Sequence, residues 1–336
     1  MSALEPTRCG FAVRWKCRPA PLPRYCLRNP RVSSRHDVHY HAADRYRLGD
    51  WRARLAGAIR RWSKTARDRA WRAGSGAARV RRPESVGDCQ ALGIADEVTL
   101  DPAVAVANAD LVVLCTPISG MAGLAKRILP HLKPGAVVTD VGSTKQQLVA
   151  ELTPLCAEGA AHFVGSHPMA GSDQPGPGAA RADLFEDTIC VVTPPADTHT
   201  DTLTKVNDFW SGLGSQPVVM PADTHDRLAA RCSHLPHLLA SALARRVLDN
   251  AHGQEQAQLC ATGFRDMTRL AAGSPAMWRD IVGSNRDDIL TAIDEFADEL
   301  GELRGFVANE SPELIEAWLQ QAKAARDNWN NSAATD

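Results

Sequence analysis

The 336-residue chain has no Cys-x-x-Cys pair among its nine cysteines, no run of eighteen apolar residues and no tyrosine after Tyr46. Scattered single thiols exclude a disulfide framework or a cysteine-based zinc site and point to a reducing compartment. Without a long apolar run no helix can span a bilayer. No apolar stretch follows the N-terminal charges, which excludes an ordinary secretory signal, so a cytoplasmic chain with no membrane partner is expected. One further absence bears on function. Nowhere does a strand lead through Gly-x-Gly-x-x-Gly into a helix, the arrangement that seats a dinucleotide pyrophosphate.

Charge is missing only on average. The formal net is −1, yet residues 1–85 hold 21 Lys+Arg against 6 Asp+Glu, and residues 86–336 hold 17 against 33. The first segment has only 12 Ile, Leu, Val, Met or Phe, spread among Arg, Pro, Ala and Trp without a period of 2 or 3.6. Such a chain buries too little to offset its entropy and reads as a disordered basic segment. A nucleic-acid arm or a transit peptide would share the composition, but no basic helical face or interleaved aromatic pattern supports either, and no nucleic-acid partner is expected. His36, His39 and His41 lack a fold to fix metal geometry. The nearest phosphate-loop string, Gly74-Ser-Gly-Ala-Ala-Arg79, ends in Arg and follows no strand signal, so it is rejected as a phosphate loop. A GC-rich gene read out of frame would also give this Arg, Ala, Gly and Trp bias. The pattern becomes ordinary abruptly near Arg82-Pro83-Glu84, as a restored frame would. Residues 1–85 are therefore read as disordered or mistranslated.

From residue 86 to 220 apolar runs alternate with helical periods. Ala109 to Pro117 is a nearly continuous apolar run closed by Pro, which predicts a strand buried on both faces. Met121, Leu124, Ile128 and Leu132 fall at helical spacing, and residues 136–141 predict the next strand. A helix over 144–157 and strands at 162–165 and 188–193 follow. This alternation predicts a right-handed parallel sheet of Rossmann type, incomplete because its first βαβ unit is missing or out of frame. Ligands on such sheets bind at the carboxyl ends of strands. Thr116 and Pro117 end one strand, and Asp140, Gly142 and Ser143 end the next, which makes them candidate cofactor contacts.

Residues 221–330 predict an all-helical domain for substrate binding and dimerisation. A helical pattern runs from His225 to Asn250, with a kink predicted at Pro236. Further helices fit 254–261, 264–272, 276–306 and 312–328, the last opened by Ser311-Pro312.

Six strings stand out in order: Thr139-Asp-Val-Gly-Ser-Thr-Lys145, Gly165-Ser-His-Pro-Met-Ala-Gly-Ser172, Ala182-Asp-Leu-Phe185, Ser233-His-Leu-Pro-His237, Gly263-Phe-Arg-Asp-Met-Thr-Arg269 and Met277-Trp-Arg-Asp280. In this order and spacing the chain, over residues 82–328, resembles the prephenate/arogenate dehydrogenases of tyrosine biosynthesis. The resemblance implies oxidative decarboxylation of prephenate or arogenate with NAD or NADP, in a homodimer. His167 then matches the catalytic base, a role suited to imidazole near neutral pH. Ser143 matches the serine that orients it, though a Gly-Ser turn alone reads as a helix cap. Arg269 matches the residue that grips a substrate carboxylate. Arg265 shares its helical face with Asp266 beside it, and a salt bridge within or between helices explains that pair equally well. His237 helps orient substrate by resemblance, whereas His234 is as readily a packed histidine. Trp278 is either core or part of a dimer-related surface near the site. The family's opening phosphate-binding unit is the part with no counterpart here. Arg81 and Arg82 stand where a ribose carboxylate would follow the second strand, which would favour a 2′-phosphate. A catalytically inactive dimeric remnant without a dinucleotide site is the alternative of another class.

Overall fold

A computed structural model describes residues 12–19, 71–80, 83–91, 95–170 and 183–333. The histidines at 36, 39 and 41, the pair Arg81-Arg82, and part of the strings at 165–172 and 182–185 lie outside the described residues. The chain divides into two compact units, 1–285 and 286–336.

The first unit is built on a six-stranded sheet in the order β3-β2-β1-β4-β5-β6. These strands are β1 (Ala12–Pro19), β2 (Trp71–Arg79), β3 (Glu97–Thr99), β4 (Leu111–Leu114), β5 (Val137–Asp140) and β6 (His162–Phe163). Between them run α1 (Glu84–Ala91), α2 (Pro102–Val106), α3 (Ile118–Ile128) and α4 (Gln146–Glu158). The strand order is that of a doubly wound dinucleotide-binding sheet. Its period-2 alternation sorts the apolar residues of β4 and β5 onto two faces. Val112, Leu114 and Val138 pack with Met121, Leu124 and Ile128 of α3 and with Leu148 and Leu152 of α4. Leu111, Val113 and Val137 pack on the other face with Phe185, Phe209 and Trp210. Each such side chain removed from water stabilises the sheet by about 1.5–3 kcal/mol.

One expectation needs correction here, and the sheet that carries the parallel strands holds one reversed member. Residues 1–85 are not wholly without regular structure, because β1 and β2 fall within them. Backbone pairing supplies what the apolar count did not signal: β1 bonds to β2 on one edge and to β4 on the other. The sheet is also not uniformly parallel. β2–β3, β4–β5 and β5–β6 are parallel pairs, but β1 is antiparallel to both neighbours. Gly74-Ser75-Gly76 lies inside β2, so the string is strand and not a phosphate loop.

After β6 the chain leaves this sheet for a second one, of β7 (Gly165–Pro168), β8 (Ile189–Thr193) and β9 (Gln216–Val219). β7 pairs antiparallel with β8, and β8 parallel with β9. The run at 188–193 therefore does not extend the main sheet, as its apolar pattern suggested. Gly165 permits the transfer: a Cβ there would sit 2.5 Å from Thr193 Oγ1. Helix α5 (Thr200–Gly212) precedes β9 and lays Val206, Phe209 and Trp210 into the core.

Six helical segments complete the unit. They are α6 (Ala222–Ala229), a π-helical turn (Ala230–His234), α7 (Leu235–Leu248), α8 (Gly253–Leu259), α9 (Thr262–Thr268) and, past a 3-10 turn (Arg269–Ala272), α10 (Pro275–Ser284). The single long helix predicted from His225 is interrupted as expected. The π-turn ends at His234, two residues before Pro236, whose ring lacks the donor an α-helix needs. α6 packs on α4 and on β8, which joins the first helical elements to the sheet. The second unit is a pair of long helices, α11 (Arg286–Ala308) and α12 (Pro312–Ala333), packed on one another. Trp318 Nε1 donates to Glu299 Oε1 across that pair at 2.7 Å.

Candidate active site

His167 is fixed by β7, two residues past the transfer at Gly165, and is 7% exposed. Its Nδ1 lies 2.8 Å from His225 Nε2. His225 Nδ1 in turn lies 2.7 Å from Asp226 Oδ1. Asp226 is wholly buried, and its two oxygens accept the backbone N–H groups of Lys145 at 2.7 Å and of Gln146 at 2.8 Å. These are the opening residues of α4, so the carboxylate of α6 caps a neighbouring helix whose own N-cap side chain makes no such bond. The cap and the helix dipole both favour negative charge at this point.

A second buried cluster holds the loop between β5 and α4. The Lys145 ammonium is ion-paired with Asp140 and donates to the Ser166 carbonyl at 2.8 Å. Asp140 also accepts from Gly142 N at 2.7 Å and Ser166 N at 3.0 Å, and Thr139 bonds Ser166 through their hydroxyls at 2.7 Å. Asp140 therefore departs from its expected role as a cofactor contact. It is fully buried, both oxygens are engaged within the protein, and its work is to tie β5 to β7 beside His167.

Burial pushes the His167 imidazole well below its ordinary range, and the neighbouring His225, Lys145 and His234 lower it further. The ring is thus neutral at physiological pH, the state a proton acceptor requires.

His234 is buried with Nδ1 3.2 Å from Asn285 Nδ2, whose amide also donates to the Asp226 carbonyl at 2.8 Å. Burial, opposed by Asp226, lowers its pKa to about 4. Its Nε2 is buried, with no side-chain hydrogen-bond partner among the described residues. His237, one helical turn on in α7, stacks on Trp278 of α10 with ring centroids 3.5 Å apart and planes 12° apart. Desolvation lowers its pKa to about 4 as well. Trp278 also meets the edge of the His234 ring, centroids 6.0 Å apart. Gly273 is the third member of this stack: a Cβ there would lie 2.4 Å from His237 Cε1 and 2.8 Å from Trp278 Nε1.

Arg269 begins the 3-10 turn after which Gly273 follows, so Arg269 stands within one short turn of the His237–Trp278 stack. It is exposed, as are Arg265 and Asp266 on α9. No ion pair among the described residues joins these three, and the salt bridge that would have explained them structurally is not formed. Thr116 and Pro117 sit where β4 gives way to α3, with Thr116 Oγ1 donating to the Pro117 carbonyl at 3.0 Å. Gly142 and Ser143 occupy the corresponding position after β5. Ser143 presents its backbone toward His234. The structure thus brings His167, the Ser143 loop and His234 around Asp226, and separately joins His237, Trp278 and the turn that carries Arg269.

Sequence reasoning missed Lys145, His225, Asp226 and Asn285 as site residues. The adjacent His225-Asp226 pair at a helix start was the available signal. Its partners lie 58 and 81 positions away in the chain, and no periodicity reports such a contact.

Residues 78–219 match the family model described as prephenate dehydrogenase, nucleotide-binding domain, and residues 221–321 match its dimerization domain. The chain belongs to the prephenate dehydrogenase family. A cyclohexadienyl dehydrogenase from Zymomonas mobilis is 34% identical over 240 residues, covering 70% of this chain and 81% of the relative. A prephenate dehydrogenase from Bacillus subtilis is 33% identical over 242 residues, covering 70% of this chain and 64% of the relative. The Aquifex aeolicus prephenate dehydrogenase, solved with hydroxyphenyl propionate and NAD+, aligns with a TM-score of 0.74 at 29% identity over 82% of this chain and 93% of that one. Synechocystis arogenate dehydrogenase aligns at 0.67 with 26% identity over 82% and 95%. The family is one of NAD-dependent oxidoreductases, and the Rossmann-type sheet followed by helices is its architecture.

The nucleotide-binding match begins inside β2. Thr116, Pro117, Gly142 and Ser143 stand at the carboxyl ends of β4 and β5, the edge where such sheets bind ligands. At the pyrophosphate end the described residues do not fit. Ala12 pairs with Leu114 and Trp15 with Leu111, so β1 starts at the ligand edge and ends at the opposite one. A phosphate cradle needs a strand that ends at the ligand edge, a tight glycine turn and a helix N-terminus. β1 does not supply that strand, since it ends at the opposite edge.

Proposed function

We propose that the chain is a prephenate dehydrogenase-like oxidoreductase that converts prephenate to 4-hydroxyphenylpyruvate, with arogenate as the alternative substrate. His167 carries the reading: a buried, neutral imidazole whose Nδ1 is engaged by His225 while no described residue bonds its Nε2. When bound, a nicotinamide ring supplies the acceptor for the substrate hydride. The chain's own residues handle the proton and the anions. His167 Nε2 takes the ring-hydroxyl proton, and Ser143 orients that hydroxyl. Arg269 holds a substrate carboxylate from the edge of the stack, with Arg265 and Asp266 on the adjoining helix, while His237 against Trp278 forms a flat wall for the ring. Aromatisation on loss of carbon dioxide supplies the driving force, so positioning is most of what the protein must add.

The active form is proposed as a cytoplasmic homodimer. Exposed Leu300, Val307, Leu314 and Leu319 on α11 and α12 support the dimer, as the second family domain does. No helix among the described residues is long and apolar enough to cross a membrane.

The test is purified protein with prephenate and NAD or NADP, followed by the absorbance of reduced nicotinamide and by release of carbon dioxide. His167→Asn should lose kcat by about 10²-fold or more with KM little changed. A variant with near-normal turnover refutes the assignment. The orientation of β1 favours the second reading, an inactive remnant that keeps the substrate half. Fluorescence titration with NADH and NADPH separates the two, since the remnant binds neither while remaining folded.

A further inference from the structure

We infer that His225 and Asp226 are positioning residues for the reaction, fixing the tautomer of His167 so that its Nε2 presents a lone pair and not a proton to the substrate. The inference rests on the reading of His167 as the proton acceptor and names the device that makes it one.

When both rings are neutral, the geometry allows one assignment of protons along the chain. Asp226 accepts at both oxygens from donors that cannot reverse, the N–H groups of Lys145 and Gln146. The contact at 2.7 Å between Asp226 Oδ1 and His225 Nδ1 therefore carries its proton on the nitrogen. A neutral His225 with Nδ1–H has a bare Nε2, which can only accept. His167 Nδ1, 2.8 Å from it, must then be the donor, and neutral His167 has its lone pair on Nε2. In free histidine the opposite tautomer dominates, with the proton on Nε2, where His167 could not take the substrate's. Lys145 faces the same ring but is tied to Asp140 and the Ser166 carbonyl, so it supplies fixed positive charge and no acceptor. His234 is turned to Asn285, and the Cys190 thiol faces the His167 backbone. Among these neighbours only His225 accepts from Nδ1.

Proton balance follows. As the substrate O–H bond breaks, an N–H bond forms at His167 Nε2, and the imidazolium so produced keeps its Nδ1–H on His225. Moving that proton across the 2.8 Å contact places the charge on His225, directly against the Asp226 carboxylate. No electron pair is transferred within the relay, and nothing beyond the substrate proton enters it.

The decisive measurement is the nitrogen-15 spectrum of histidine-labelled protein at neutral pH, which distinguishes protonated from bare ring nitrogens. Wild type should show His167 with Nδ1 protonated and Nε2 bare. His225→Leu, which removes the acceptor, should shift His167 toward the Nε2–H tautomer and lower kcat by about 10²-fold with KM within about twofold. His225→Gln keeps a carbonyl oxygen near the position of Nε2. It should restore the wild-type tautomer and recover kcat to within about tenfold of wild type, the remaining loss reflecting the absent proton acceptor. A wild-type His167 protonated at Nε2, or a tautomer unmoved in His225→Leu, overturns the inference. So does a His225→Leu enzyme with normal kcat. Since the spectrum needs no turnover, a wild-type protein that shows the Nδ1–H tautomer but leaves prephenate unchanged refutes the proposed function and not the positioning.

Discussion

Replacing Asp226 with Ala tests how the sheet unit is bound to its first helices. The carboxylate receives the N–H groups of Lys145 and Gln146 and the Nδ1–H of His225, all in a site without solvent. Alanine leaves these three donors buried and without acceptors. Each such orphan costs about 1–3 kcal/mol, and loss of an interhelical cap lies in the same range, so a total of about 3–6 kcal/mol is expected. Asp226→Asn should fall between the two proteins, because an amide keeps one accepting oxygen and turns an NH2 toward the other donor. Urea denaturation at neutral pH measures all three. With the m-value unchanged, the midpoint should drop in the order wild type, Asn, Ala. A loss below about 1 kcal/mol for Asp226→Ala would mean that water or a shifted backbone satisfies α4, and the capping argument would fall.

Acid should destabilise the fold through its buried imidazoles. His234 and His237 are lowered to about 4 and His167 well below its ordinary value, so between pH 6.5 and about 4 the unfolded chain binds protons that the native one refuses. Their contribution is complete above pH 6.5 and is lost as pH falls, with a slope of about 2.4 kcal/mol per pH unit for two such groups near pH 5; a stability flat over that window would contradict it. Gly273→Ala should drive a methyl into the His237–Trp278 stack and cost about 1–3 kcal/mol together with a raised KM, read by urea denaturation and steady-state kinetics. Arg269→Ala, at an exposed position, should leave stability unchanged and raise KM about tenfold or more, as expected for a lost charge-assisted hydrogen bond. An unchanged KM would remove Arg269 from the substrate site.

The parts of the fold legible in the sequence are those where a local period coincides with burial. β4 is a continuous apolar run because both faces are covered, and α3 shows its buried stripe at Met121, Leu124 and Ile128 for the same reason. Pro236 announces its break in the helix because a missing N–H is a local fact. The illegible parts depend on distant partners. β9 carries Gln216 and Pro217 and is mostly exposed, so its pattern is weak, and it is strand because β8 pairs with it. The site divides along the same line. His167 and Arg269 are candidates singled out by ordered motifs, whereas Asp140 reads like a ligand at a strand end and is the buried partner of Lys145. Asp226 gave no sign of capping a helix that opens 80 residues earlier.

The first strand is where sequence and structure meet most sharply. A doubly wound sheet is assembled from right-handed βαβ units, and that connection requires parallel neighbours. β1 fills the slot beside β4 in the opposite sense, so no crossover helix of this kind can join it to the strands around it. Its sequence, Ala-Val-Arg-Trp-Lys-Cys-Arg-Pro, puts three cations into a strand paired on both edges, where such sheets carry apolar runs. Everything from β4 onward obeys the rules of the fold, and the family match itself begins only at residue 78. We propose that a gene read in the wrong frame over the segment before the family match underlies the reversed strand, the basic composition and the missing glycine turn together. Re-reading the nucleotide sequence should then recover, in another frame, an apolar strand followed by Gly-x-Gly-x-x-Gly and a helix of about ten or more residues. The chain rebuilt with that segment should bind NADH at micromolar concentration and more tightly than the present one. One uninterrupted frame through the junction, with no such motif in the alternatives, would refute this account and leave the reversed strand as a property of the protein.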